Sequence, residues 1–137
     1  MPLGHTPLTY IRQWRMYAAM ARRLHVVAEM PQFLRDIHAA GLSASEHQAI
    51  VDTIAADPRK GDEIRGSGGV RKVRFAGRGK GKSGGYRVVS AYFGPGAPVY
   101  LIALLSKGER GNFTTSEIAA FKSLTGEIAH FWRRRRR

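Results

Sequence analysis

The sequence contains no cysteine. That excludes disulfides, thiolate metal sites and a cysteine nucleophile together, and it fits a reducing compartment. No apolar run approaches the roughly 20 residues that cross a bilayer, so no integral membrane helix is expected. Histidines are scattered: His5, His25, His38, His47 and His130 form no pair at metal-ligand spacing. Neither a histidine metal site nor a two-histidine acid–base nuclease is therefore expected. One sign of charge is missing from a long stretch as well. Residues 65–108 carry no Asp or Glu, so the carboxylates that a Mg²⁺ nuclease sets beside its phosphate are absent from that stretch.

What is present is cationic charge on a foldable chain. With 137 residues and 43% hydrophobic content, the chain is sized for one small domain with a real core. Lys and Arg number 23 against 10 acids, for a net charge of +13 and a pI of about 11.1. Such an excess repels itself in the folded state and favours a polyanionic partner. Its distribution is uneven. Residues 28–64 are net acidic, residues 65–108 hold nine cations, and residues 133–137 are consecutive arginines.

Residues 6–23 have the pattern of a helix, with Thr6 as cap and Pro7 in the first turn. Their arginines and lack of acids also mimic an organelle transit peptide. Met20 opens MARRLHVVAEM in the manner of a start, so residues 1–22 are expected to be an extension. The domain is expected over 23–131, with 132–137 a basic arginine tail. Leu24–Ala28 reads as a strand. Pro31 starts a helix through Phe33, Leu34, Ile37 and Ala40, stopped by Gly41. Ser43-x-x-Glu46 is a capping box for a second helix with Ala49, Ile50, Ile54 and Ala55 on its apolar face, ended by Asp57-Pro58. Val70–Phe75, Tyr86–Phe93 and Pro98–Leu105 then read as an antiparallel meander. Thr114-x-x-Glu117 caps a last helix bearing Ile118, Phe121, Leu124 and Ile128, with Trp132 near its end. The expected class is α+β: a small antiparallel sheet, the meander plus an N-terminal strand, with two helices packed on it and a C-terminal helix.

Strand alternation decides which cations act together. On Val70–Phe75, Lys72 and Arg74 share one face, while Arg71 shares the other with Val73 and Phe75. If Val73 and Phe75 face the core, Lys72 and Arg74 stand roughly 6–7 Å apart on the open face. Arg87 begins the next strand and Lys107 follows the third. Such a cluster suits a phosphodiester, whose charge it neutralises before and during reaction; a basic sheet edge that resists aggregation is the bland alternative. The low-complexity run Ala76–Gly85 fits a relaxed P-loop, but the helix that a P-loop requires does not follow. Its Arg78, Lys80 and Lys82 read instead as a cationic hairpin loop. Isolated lysine and arginine titrate far above neutrality, and crowding of like charges is the one intrinsic route by which lysine becomes a proton carrier. Asp62 and Glu63, the nearest acids, read as turn residues.

The segment ADPRKGDEIRGSGGVRKVRFAGRGKGKSGGYRVVSAYF, residues 56–93, resembles the central region of HigB-like toxins in the RelE/ParE superfamily of type II toxin–antitoxin systems. A P-x-x-G-D-x-I-x-G-[ST]-G-G-x-R-K-x-R run, here Pro58–Arg74, precedes a G-K-G-K-x-G-G-x-R-[VI]-[VI] run, here Gly79–Val89. Val99–Glu109 is similar to the family's third strand. The resemblance covers roughly residues 23–130 and implies the RelE-like fold described above.

It also implies a cytoplasmic bacterial mRNA interferase that enters the ribosomal A site and cleaves mRNA by attack of the RNA 2′-hydroxyl, needing no metal or cofactor. Lys72, Arg74, Arg87 and Lys107 match the family's basic catalytic positions. Arg71, Arg78, Lys80 and Lys82 are the additional RNA-binding candidates. RelE itself has an arginine where this chain has Gly108, and a tyrosine near Phe113-Thr114. The expected partners are mRNA on the ribosome and a HigA-like helix-turn-helix antitoxin. Two other readings stay open: a ParE-like gyrase poison on the same fold, and an inactive basic domain that binds RNA or DNA.

Overall fold

The computed structural model describes residues 24–77, 81–106 and 112–135, the backbone alone for 81–84. The expected helix at 6–23 lies outside them. β1 (Val27–Glu29) is joined through Met30 to α1 (Pro31–Ala39), where proline stands at the start and needs no amide partner. Phe33 and Ile37, one turn apart, are its buried residues. Gly41, at φ +70°, ends it. The Gly41 amide donates to the His38 carbonyl and the Leu42 amide to the Ile37 carbonyl, the Schellman arrangement that satisfies the last carbonyls. α2 (Ala44–Ala56) opens on the expected capping box, the Ser43 hydroxyl and Glu46 carboxylate each accepting the other's amide. Leu34 and Ala49, expected on apolar faces, are exposed; both helices touch the sheet through narrower stripes than the sequence suggests.

The sheet has five strands, in the order β1-β5-β4-β3-β2. β2 (Asp62–Glu63), β3 (Val70–Gly77), β4 (Gly81–Tyr92) and β5 (Val99–Ser106) are successively antiparallel. Two details correct the sequence expectation. β1 runs parallel to β5, so the sheet is mixed, because the chain crosses over through α1 and α2 before the meander begins. β2 is an extra strand formed by residues that read as a turn. The glycine-rich run is drawn into the hairpin, with Gly77 opposite Gly81; a strand follows it, as the rejection of a P-loop requires.

Both faces of the sheet are covered. On one, Phe33, Ile37, Ile50 and Ile54 meet Val73, Val88, Val99, Leu101 and Leu104. On the other, α3 (Thr115–Arg135) lays Ile118, Phe121 and Leu124 against Val70, Val89, Ala91 and Ile102. A bulge makes the second face possible. Register moves from Val89 opposite Ala103 to Ser90 opposite Leu101, which puts the adjacent Ile102 and Ala103 on the same side. α3 begins at the expected Thr114/Glu117 box and runs through Arg133–Arg135, where cations complement the carboxyl end of the helix dipole. The Trp132 indole donates to the Tyr100 hydroxyl at 2.7 Å just before that end.

Thr125 ties the middle of α3 to the β2–β3 turn, its hydroxyl 3.1 Å from the Ser67 carbonyl. Gly68, at φ +80°, lies beneath it, and a Cβ there would stand 2.3 Å from Thr125 Oγ1. Gly68→Ala is therefore expected to destabilise the fold by about 1–3 kcal/mol, from the strained backbone and the displaced threonine together. Urea unfolding of the variant against the wild type measures this.

Candidate nucleic-acid interface

Alternation on β3 puts Val70, Lys72 and Arg74 on the α3 face, and Arg71, Val73 and Phe75 on the α1–α2 face. β4 repeats the pattern, with Arg87 and Val89 on the α3 face and Tyr86 and Val88 on the other. Register then brings the cations together. Arg74 is directly opposite Arg87, and Lys72 is opposite Val89. Directly opposed Cβ atoms are about 4.5–5.5 Å apart. The face is not open along its whole length, because α3 covers its Val70–Val89–Ile102 part.

The three side chains share a concavity of about 390 Å³ with Lys60, Gly61, Asp62 and Val73. No described α3 residue lines it. Four cations and one carboxylate thus line it among the described residues. Among the described residues, neither Lys72, Arg74 nor Asp62 is engaged in an ion pair. Lys72 and Arg87 are half-buried, while Arg74 is exposed. Guanidinium groups held on a rigid sheet can grip a phosphate through paired hydrogen bonds, and a neighbouring ammonium adds charge. A second concavity of the same size, between α1, β5 and α3, contains Asp36 and Glu117 and, among the described residues, no Lys or Arg.

Gly61 builds the near wall. At φ +99° it lies so close to β3 that a Cβ would stand 2.4 Å from the Lys72 carbonyl oxygen. From the other face, Arg71 Nη1 donates to the Gly61 carbonyl at 3.0 Å. β2 is held from both sides, with Asp62 opposite Lys72 and Glu63 opposite Arg71. Alternation sends Asp62 into the cationic concavity and Glu63 to the opposite face.

The remaining candidates divide plainly. Arg71 lies on the opposite face with Arg59, Glu63 and Tyr92, where the Arg59 guanidinium stands 5.6 Å from the Tyr92 ring centre. It is not brought to the Lys72–Arg74–Arg87 cluster. Arg78, Lys80 and Lys107 lie outside the described residues, as does the Lys82 side chain. Phe113 makes an edge contact with Phe121 at 5.3 Å, and Thr114 caps α3, so both serve the fold. Sequence reasoning missed Lys60 and Asp62 as site residues. The available signal was the Gly66–Gly69 cluster, a hairpin turn that lets the residues before it pair with β3.

Among the described residues, no three His, Asp or Glu side chains gather as metal donors, and no helix is long and apolar enough to cross a membrane. Fold and site together define a small α+β domain whose sheet presents a recessed cationic cluster. The chain belongs to the RelE toxin family: the family described as "RelE toxin of RelE / RelB toxin-antitoxin system" matches residues 38–135. Among solved structures it is similar to a mutant of the Escherichia coli toxin RelE in the free state, at 17% identity and a TM-score of 0.48, over 74% of this chain and 96% of that one.

Like charges placed directly across a ladder destabilise it. Arg74→Gln is expected to raise stability by about 0.2–0.5 kcal/mol at low salt. The gain should vanish near 1 M salt, where the Debye length is about 3 Å. Thermal unfolding of both proteins at the two salt concentrations checks this.

Proposed function

We propose that this protein is a HigB-like toxin that cleaves mRNA in the ribosomal A site as an endoribonuclease. The observation that supports this most directly is the convergence of Lys72, Arg74 and Arg87 in one recess of the sheet. Such a recess fits a scissile phosphate. The RNA 2′-oxygen attacks phosphorus, negative charge grows on the nonbridging oxygens, and the guanidinium groups meet it without having to reorganise. The nucleophile comes from the substrate, so the reading invokes no metal or cofactor.

Lys107 follows Ser106 in the sequence, and Ser106, the last residue of β5, is opposite Tyr86. It joins the site in this reading. Arg78, Lys80 and Lys82 on the β3–β4 hairpin contact flanking RNA, and Arg71 serves to hold β2. The protein acts in the bacterial cytoplasm, on translating ribosomes. Its partner is a HigA-like helix-turn-helix antitoxin that covers or distorts the cationic recess.

The test is 5′-end mapping of transcripts after a short expression pulse. Wild type should produce cuts inside translated codons, and Arg87→Ala should produce none while costing only about 0.5–1 kcal/mol of stability. Growth arrest with DNA breaks and intact transcripts would indicate a gyrase poison instead. Absence of arrest would leave a domain that only binds nucleic acid.

A further inference from the structure

Cations alone can hold a phosphate and stabilise its developing charge, but the attacking hydroxyl must also lose its proton. Of the described charged residues lining the recess, Lys60, Lys72, Arg74 and Arg87 are donors, and Asp62 is the acceptor. Resting on the endoribonuclease reading, we propose that Asp62 is a catalytic residue, the base that takes the proton from the RNA 2′-hydroxyl.

Three observations carry it. Asp62 is opposite Lys72, on the face that holds Arg74 and Arg87, and it lines the same concavity. Its strand is fixed for its two-residue length: Gly61 approaches the Lys72 carbonyl from one side, and Arg71 holds the Gly61 carbonyl from the other. The Ile64 amide, donating to the Val70 carbonyl at 2.8 Å, closes the far end. Finally, the carboxylate is engaged in no ion pair among the described residues. A carboxylate that merely offset the local charge would gain most by pairing with a cation.

The balance of the step is simple. O2′ gives its proton to a carboxylate oxygen of Asp62 as the O2′–P bond forms. The P–O5′ bond breaks, O5′ takes a proton from water, and the carboxylic acid returns its own proton to water. A 2′,3′-cyclic phosphate and a 5′-hydroxyl end result. During attack, negative charge leaves Asp62 and appears on the phosphorane. The same cations face it before and after, so the transfer requires no rearrangement of the site.

Single-turnover cleavage of mRNA on programmed ribosomes, with RNA binding measured separately, tests the assignment on wild type, Asp62→Asn and Asp62→Ser. Asp62 is exposed, so both variants should fold, and two replacements guard against a folding failure in one. The expected result is a rate loss of about 10²–10⁴-fold, the usual contribution of a positioned base. RNA binding should be unchanged or tighter, since an anion has been removed from a cationic recess. Wild-type cutting matched within about tenfold by the variants would overturn the Asp62 role and leave the nuclease reading standing. A parallel loss of binding and rate would make Asp62 structural. Wild type that cuts neither ribosome-bound nor free RNA would overturn both.

Discussion

Two arginines face each other directly across the β3–β4 ladder, and apolar burial on both faces of the sheet is what keeps them there. Val73 and Val88 are buried on one side of this pair of strands, and Val70 and Val89 on the other. Each fully buried valine contributes on the order of 1.5–3 kcal/mol, whereas a like-charged pair directly across a ladder costs at most about 1 kcal/mol. Burial therefore wins by a wide margin. It also fixes the register. A slip of one residue would turn Arg74 and Arg87 into a core and expose the valines. The site geometry is thus a by-product of hydrophobic register, bought at a small electrostatic cost that function can use.

This explains why so much of the cluster was legible in the sequence. Alternation in VRKVRF assigns Lys72 and Arg74 to one face, because a strand that buries Val73 specifies its own orientation. Arg71 fell on the other face by the same rule. Arg87 was singled out by the family resemblance, and the register sets it opposite Arg74. The helix ends were legible too, since Gly41 and the two capping boxes act through local hydrogen bonds. β2 was not. Two charged residues have no hydrophobic period to read. They become a strand only because Gly61 permits a close approach and the Ser67–Gly69 turn returns the chain to β3. The parallel pairing of β1 was equally hidden, as strand direction across a long crossover leaves no trace in a three-residue segment.

α3 shows how one element can cover a face without closing the site on it. Its apolar stripe ends the exposure of Val70, Val89 and Ile102, and Thr125 and Trp132 fix it at two points. The recess lined by Lys72, Arg74 and Arg87 lies beyond its footprint. The helix also gives the arginine run a structural place. Arg133–Arg135 continue the last turns, where the dipole favours cations, and Arg135 stands 4.7 Å from the Phe131 ring centre.

The charge pattern of the chain has a matching logic in three dimensions. The acid-free stretch 65–108 supplies the cationic floor, and the neighbouring segment contributes carboxylates only through β2. Strand alternation then separates two adjacent acids. Glu63 goes to the face of Arg71, whose guanidinium secures β2, and Asp62 goes to the face of Lys72, Arg74 and Arg87. Cations favour the phosphorane over the resting phosphodiester because its negative charge is greater, but they also hold the resting anion, and that part of the attraction accelerates nothing. In the role proposed for Asp62, a carboxylate at the rim opposes a resting anion and can gain a proton as charge moves to phosphorus. It thereby converts part of that attraction into a preference for the transition state. Two residues and one glycine are enough to build that difference into an otherwise uniform basic surface.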